Sequence, residues 1–459
     1  MEGRAQGLRY PPAGNGRIVV PRIAADAMIA AGAVLLAASL PLIALRFLSL
    51  KPGLFPFMVV GTAVGIFLLR RPEWIVPGYV GLVWTSIEAS YFGGLPSPIE
   101  VGGLILLAYA TWQAGQRIGY AREVLVVCSL FALPVLASGI ASPTGMIVPV
   151  AALKGIIFLF LAALAIRSVA DVERAAVTLS GVGIFLGLGS LSSVFLQPTR
   201  LFPLKAAEFV FQDPAPRAAG PIGDPNFFAL VMAALVPFAL YLIARGGKRQ
   251  VMGVAAVLCL IGGVFATGSR GGIVAVGFAV VGMGLIMPVL RLRLAAAAVV
   301  LGAIIALPIF ATQTQDAAAR TNEGRLTENL VALAMFADNP VSGLGPKQYS
   351  EYYRDYTRDI GNDPRQIRQP HSLPLEIAAE QGAAGVIGWL VALLTVLRFA
   401  VARGVWRLLI GRTVIMSIGT FLVASLFLHG DTLRILYMLL GMLLAMGFAL
   451  SRERGATPA

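Results

Sequence analysis

Apolar residues occur along this chain in runs of about 20, and short segments rich in arginine separate these runs. Each run is long enough for an α-helix to cross a bilayer, where only helices and closed barrels satisfy their own backbone hydrogen bonds. The pattern predicts an all-α fold class, a polytopic membrane helical bundle of about 12–14 spans with one long helical loop. The third and fourth spans are the weakest, being short or interrupted by Pro77, Glu88 and Gly93. The predicted spans lie near residues 24–45, 53–69, 75–92, 101–116, 123–141, 147–166, 175–196, 225–244, 250–267, 271–289, 293–312, 383–402, 410–428 and 432–450.

The composition agrees with a membrane protein. Of the 459 residues, 58% are hydrophobic and 13% are charged, whereas a soluble domain has roughly 45–50% apolar and about 25% charged residues. Cys128 and Cys259 both fall inside apolar runs. We therefore expect two reduced, buried thiols and no disulfide framework.

Lysine and arginine are concentrated in one alternating set of loops, which marks that set as cytoplasmic. Both termini are then cytoplasmic, the first as an uncleaved tail before the first span. Much of the net charge of +13 is therefore explained by the orientation of the chain in the membrane, and binding to nucleic acid is not expected. The predicted organisation is a cytoplasmic N-terminal tail (1–23), a transmembrane bundle (24–312), an exterior loop (313–382), C-terminal transmembrane helices (383–450) and a cytoplasmic tail (451–459).

Positive charge in the exterior segments breaks the orientation rule and calls for another reason. Arg270 stands in the turn "TGSRGG", where Gly271 would let a ligand approach the backbone and Ser269 would add anion-binding capacity at a helix start. Arginine presents a planar fork of donors that matches phosphate oxygens. The alternatives are that Arg270 extends to lipid phosphates and that Arg217 is an ordinary loop arginine. Asp224 followed by Pro225 is typical of a helix start.

The long loop contains two predicted helices. Residues 323–340 form an amphipathic pattern that ends at Asn-Pro, residues 341–346 form a glycine turn, and residues 347–359 form a second helix. Aspartates at four-residue spacing could suggest a metal face, but interleaved arginines favour a solvated face of ion pairs. No cluster with metal-ligand spacing occurs, so we predict no metal site; the aspartates are Asp355, Asp359 and Asp363.

One of the two histidines, His371, stands where the long loop re-enters the membrane. A neutral imidazole there can accept a proton from a hydroxyl near neutral pH, although a lone histidine is more often structural. Ser372 is predicted to cap the following helix, and Gly382 and Gly385 are predicted to permit close helix packing. His429 lies in a tight turn and is interpreted as structural.

These features together resemble the O-antigen ligase and O-antigen polymerase superfamily of bacterial glycan transferases. The resemblance rests on His371-Ser372, then nine residues and Gly382-x-x-Gly385, with Glu380 before the first glycine. The upstream segment "GRLTENLVALAMFADNPVSGLGPKQY", which begins near Arg325, and the elements "GSRGG" and "DPN" are also similar to the family. The resemblance is clearest from about Arg217 to Gly385.

The resemblance implies a C-type glycosyltransferase-like bundle in the bacterial plasma (inner) membrane, with loop 313–382 as an exterior (periplasmic) catalytic loop. It implies transfer of a glycan from undecaprenyl pyrophosphate to an acceptor hydroxyl on a lipid, protein or glycan, without metal or other cofactor. His371 would be catalytic, and Arg270 and Arg217 would bind the diphosphate. The supporting residues would be Ser269, Gly271, Arg325, Ser372, Glu380, Gly382 and Gly385.

Two other classes of function remain open. A polysaccharide transporter or lipid-linked glycan flippase would typically show internal repeats and ionisable residues in mid-membrane, and no convincing repeat is found. A non-catalytic scaffold would leave the exterior arginines and histidine without a role.

Overall fold

A computed structural model describes most of the chain. The described residues are 67–68, 70–86, 97–142, 150–195, 217–287, 315–359, 369–428 and 433–455. The predicted tail 1–23, the predicted spans 24–45 and 293–312, most of span 53–69 and the turn histidine His429 lie outside them.

The described residues contain thirteen α-helices and no strand, so the predicted all-α fold class is confirmed. Three short 3-10 helices, Pro72–Trp74, Gly220–Ile222 and Val405–Arg407, connect some of them. The helices are α1 (Ile75–Trp84), α2 (Pro98–Gln116), α3 (Ile118–Ala141), α4 (Val150–Ala165), α5 (Val169–Phe195), α6 (Pro225–Arg245), α7 (Gly247–Thr267), α8 (Arg270–Ile286), α9 (Gln315–Asp338), α10 (Tyr349–Asp359), α11 (Leu373–Ala402), α12 (Leu409–Ser425) and α13 (Leu433–Glu453).

Six helices in the described part of the chain are long and apolar enough to cross a membrane. Three shorter apolar helices accompany them: Leu153–Ala165, Arg270–Ile286 and Leu409–Ser425. Neither α1 nor α2, which correspond to the two weakest predicted spans, is among these nine apolar helices. The protein is therefore a multi-pass membrane helical bundle. The six long helices are Ile118–Ala141, Val169–Val194, Pro225–Arg245, Gly247–Thr267, Leu373–Ala402 and Leu433–Glu453.

Helices α6 and α13 are buried along almost their whole length and form the centre of the bundle. Helix α6 packs against α5, α7, α8 and α12, and α13 packs against α4, α11 and α12. Because both helices are apolar on all sides, burial within the bundle is the arrangement that their sequences favour.

Residues 323–340 and 347–359 were each predicted to be helical, and α9 and α10 confirm both predictions. Tyr349 and Tyr353 on α10 pack with Val331 and Met335 on α9, which forms a small core separate from the main one. Helix α9 also packs along α11. Helices α9, α10 and the start of α11 thus pack together in the long loop.

Helix α11 contains a break at Gly382, where φ is 63° and ψ is −163°. This region of backbone conformation is essentially restricted to glycine. Four backbone hydrogen bonds use the groups that the break makes available and join the turn 340–345 to residues 379–384. They run from Ala383 N–H to Pro340 O (2.8 Å), Ala384 N–H to Val341 O (3.1 Å), Leu344 N–H to Ala379 O (3.0 Å) and Gly345 N–H to Glu380 O (2.9 Å).

The break changes the predicted roles of the two glycines in the histidine motif. Gly382 is required by the backbone conformation of the break. An added Cβ would in addition lie 2.7 Å from Gly343 N and closer still to Val341. An added Cβ at Gly385 would meet side chains of its own helix, with Ile377 Cγ2 at 3.3 Å. The prediction that these two glycines permit close packing between neighbouring helices is therefore wrong for both of them.

Candidate functional site

The turn between α7 and α8 carries the first candidate residues. Gly268 ends α7 with φ 61°, and the Ser269 side chain caps α8 by accepting a hydrogen bond from Gly272 N–H at 3.2 Å. Arg270 is the first residue of α8 and is exposed. No hydrogen bond or ion pair joins its side chain to the described part of the chain. The turn therefore presents a guanidinium at a helix start, where backbone N–H groups and the helix dipole also favour an anion.

The glycines of this turn serve packing. An added Cβ at Gly271 would lie 3.2 Å from Phe427 Cβ, so the space beside Gly271 belongs to the residues that follow α12. Gly271 was predicted to let a ligand approach the backbone, whereas the space beside it is used for packing against Phe427. An added Cβ at Gly268 would lie 3.4 Å from Arg217 Nε, so this glycine accommodates the second candidate arginine.

Arg217 ties this turn to the start of α6. Its Nε–H donates to Thr267 O at 2.8 Å and its Nη2 donates to Asn226 Oδ1 at 3.0 Å. Asp224 caps α6 as predicted, because its Oδ1 accepts from the N–H groups of Asn226 and Phe227 at 2.7 and 2.9 Å. The half-buried Arg217 thus holds two helix ends together, which is a structural role beside any role in binding an anion.

Arg325 on α9 lies within electrostatic range of these helix ends. Burial lowers the pKa of the Arg325 guanidinium, and the nearby charge of Arg270 lowers it further, whereas Glu328 and Asp224 raise it. The Nε of Arg325 is buried and has no hydrogen-bond partner among the described residues. Since both burial and a like charge disfavour the cationic form, an anion bound here would stabilise it.

Glu328, one helical turn beyond Arg325, lies at the candidate site and has no counterpart among the residues predicted from the sequence. Its side chain is completely buried, with 0% exposure, and its Oε2 lies 3.8 Å from His371 Nε2. The imidazole of His371 is 27% exposed. The three-residue spacing places Arg325 and Glu328 on one face of α9, which was the signal available in the sequence.

Tyr349 on α10 connects Glu328 with Glu380. Its hydroxyl donates to the Glu328 carbonyl at 2.7 Å, and its N–H donates to Glu380 Oε1 at 3.3 Å. Nearby, Lys347 Nζ lies 3.5 Å from Glu376 Oε1. Glu380, predicted as a supporting residue, is buried and braces the start of α10.

Ser372 occupies the N-cap position of α11, but its side chain makes no capping hydrogen bond, so the predicted capping by that side chain is wrong. The Ser372 carbonyl accepts from Glu376 N–H at 2.9 Å, and this bond starts the helix through the backbone. Ser372 is buried and connects His371 directly to the first residue of α11.

Other predictions concern ligands and thiols. In the parts of the chain that the structure describes, no group of three or more histidine, cysteine, aspartate or glutamate residues could hold a metal ion. Cys128 and Cys259 are free and partly buried, in agreement with two reduced thiols.

Comparison with known families identifies the segment that carries most of this site. Residues 254–390 match the family model described as O-antigen ligase, and no curated protein matches the chain. The matched segment contains Arg270, Arg325 and His371 together with the break at Gly382, whereas Arg217 lies before it. The match indicates a glycan-transferring membrane enzyme with a lipid-linked glycan as substrate. The chain therefore contains a segment, residues 254–390, that is similar to the O-antigen ligase family.

Proposed function

We propose that the protein transfers a glycan from undecaprenyl pyrophosphate to an acceptor hydroxyl on the outer face of the bacterial plasma membrane. The acceptor is a lipid, a protein or another glycan. The diphosphate binds at the turn between α7 and α8, and the acceptor hydroxyl approaches His371. Loop 313–382 is exterior in this proposal, as the distribution of lysine and arginine predicts.

The observation that carries the proposal is that arginines from distant parts of the chain lie within electrostatic range of each other, and that Glu328, one helical turn from Arg325, contacts His371. Arg270 is exposed at a helix start, and Arg325 is partly buried within its electrostatic range. Burial and the charge of Arg270 disfavour the cationic form of Arg325, Glu328 and Asp224 offset part of this, and an anion with several oxygens bound between the two arginines would stabilise both. A diphosphate fits this requirement because each guanidinium can donate two hydrogen bonds to phosphate oxygens.

The reaction that follows is a substitution at the anomeric carbon of the donor glycan. The acceptor oxygen forms a bond to this carbon while the bond from the carbon to the diphosphate oxygen breaks and leaves its electrons on the diphosphate. Arg270 and Arg325 stabilise the charge that grows on the leaving group. His371 accepts the proton that the acceptor hydroxyl loses. No divalent metal is required in this scheme, since the arginines supply the positive charge.

Purified protein in lipid nanodiscs tests the proposal when it is supplied with a synthetic polyprenyl-diphosphate glycan and a glycan acceptor. The expected result is a new glycosidic bond and one released polyprenyl diphosphate per transfer, with both lost in Arg270→Gln and His371→Ala. Arg249→Gln is the matched control, because Arg249 is exposed near the opposite end of α7. Movement of an intact donor across liposomes without bond formation would instead establish the transporter alternative.

A further inference from the structure

We propose that Glu328 is a positioning residue for His371, which it orients and stabilises in the protonated form. This inference rests on the proposed function, because it assigns a role toward the group that accepts the acceptor proton. It adds a residue that neither the histidine-to-glycine motif nor the arginine turn contains.

The first step of the argument is the burial of the Glu328 side chain. A carboxylate with 0% exposure requires a charged or hydrogen-bonding partner, since transfer of an ionised group out of water is unfavourable. The imidazole of His371 stands 3.8 Å away and is partly exposed. Glu328 therefore faces the Nε2 atom of the imidazole, while the Nδ1 atom is buried on another side of the ring.

The second step is the rigidity of the backbone that carries Glu328. Tyr349 donates to the Glu328 carbonyl at 2.7 Å, and the ring of Tyr349 is fully buried. Its N–H contacts Glu380, a residue of the same helix that follows His371. The carboxylate and the imidazole are thus held by helices that are joined to each other through one tyrosine.

The third step is chemical. A carboxylate at Glu328 accepts a hydrogen bond from the Nε2–H of His371, which leaves Nδ1 with a lone pair for the acceptor proton. Nδ1 is buried, so the acceptor hydroxyl must reach it within the packed loop. After proton uptake, the same carboxylate faces an imidazolium and stabilises its charge. An approach of about 1 Å would shorten the present separation to a charge-assisted hydrogen bond. The resulting order, acceptor hydroxyl to imidazole to buried carboxylate, places the negative charge where the transient positive charge forms.

Glu328 also acts electrostatically on Arg325, so the kinetic constants must separate the two possible targets. If Glu328 serves His371, Glu328→Gln reduces kcat roughly 10- to 100-fold, a part of the usual contribution of general base catalysis, while donor affinity stays near the wild-type value. Weakened donor binding with unchanged kcat would overturn the inference in favour of Arg325. Asp338→Asn is the matched control, because Asp338 is exposed at the end of the same helix.

A spectroscopic experiment provides a readout that does not depend on turnover. The chain contains 2 histidines, so protein labelled with 15N in the imidazole rings gives two sets of signals, and His429→Gln assigns them. The expected result is that His371 shows a single fixed tautomer in the wild type and a mixture of tautomers in Glu328→Gln. An identical His371 spectrum in both proteins would overturn the inference.

The two failures are distinguishable. If His371→Gln retains wild-type transfer, His371 is not the proposed base and the positioning role fails together with it. If His371→Gln is inactive but Glu328→Gln keeps both wild-type turnover and the wild-type imidazole spectrum, only the role of Glu328 is overturned. The inference predicts that Glu328→Gln causes no further loss of turnover in the His371→Gln background, because the two residues act as one unit.

Discussion

Replacement of Gly382 by alanine is expected to damage the site although Gly382 lies in the helix that follows His371 and carries no side chain. Gly382 breaks α11 with φ 63° and ψ −163°, and four backbone hydrogen bonds from the turn 340–345 pair with residues around this break. An alanine at this position would require a conformation that L-residues rarely adopt.

The expected magnitude follows from two costs. The backbone strain of a residue other than glycine in this region is of order 1–3 kcal/mol. An added Cβ would lie 2.7 Å from Gly343 N, and such overpacking typically costs about 1–3 kcal/mol. The free energy of unfolding should therefore fall by about 2–6 kcal/mol, unless residues 379–384 move away from the turn. Either response displaces the start of α11, which follows His371.

The assay compares Gly382→Ala with Gly277→Ala, both purified in nanodiscs, by denaturant titration and by glycan transfer. An added Cβ at Gly277 meets nothing within 4 Å, and Gly277 lies inside α8. Since alanine is favoured over glycine in a helix by roughly 0.5–1 kcal/mol, this control should be neutral or slightly stabilised. Wild-type stability and turnover in Gly382→Ala would refute the assignment of the break as the element that builds the site.

Three other predictions address the arginine turn, the orientation of the loop and the helix contacts. Arg270→Lys keeps the charge but loses the planar fork, so turnover should fall roughly 10²–10³-fold at normal expression; near-normal turnover in Arg270→Ala would leave only a lipid contact as its role. Cysteines placed at Gln315 and Gln348 should react with an impermeant maleimide in intact cells, and protection of both until lysis would overturn the exterior assignment. Tyr349→Phe removes the hydrogen bond to the Glu328 carbonyl and should lower the free energy of unfolding by about 1 kcal/mol, whereas an unchanged denaturation midpoint would contradict this contribution.

Local patterns in the sequence predicted most of the described helices because apolar run length and helix caps depend on neighbouring residues. Asp224 caps α6 as expected, and α9 and α10 lie where their patterns placed them. Helix α11 starts at Leu373, ten residues before the predicted span at 383. Glu376, Glu380 and Gln381 lower the hydropathy of this first part, and only packing against the long loop makes their burial favourable.

The candidate site was predictable only in part. The guanidinium of Arg270 at a helix start follows from the glycine and serine around it, which are local features. The partners of Arg217 and the proximity of Glu328 to His371 join segments far apart in the sequence, and no short-range pattern encodes them. The role of Gly382 was misinterpreted because glycine spacing alone does not distinguish close packing from an unusual backbone conformation.

The most direct test of the account is the single-turnover rate of glycan transfer by His371→Gln with the diphosphate-linked donor already bound. Glutamine can hydrogen-bond an acceptor hydroxyl but cannot take up its proton. The account predicts that donor binding is retained and that the rate of glycosidic bond formation falls at least about 100-fold, the lower range for loss of a general base. A wild-type rate of bond formation in His371→Gln would contradict the central claim that His371 accepts the acceptor proton.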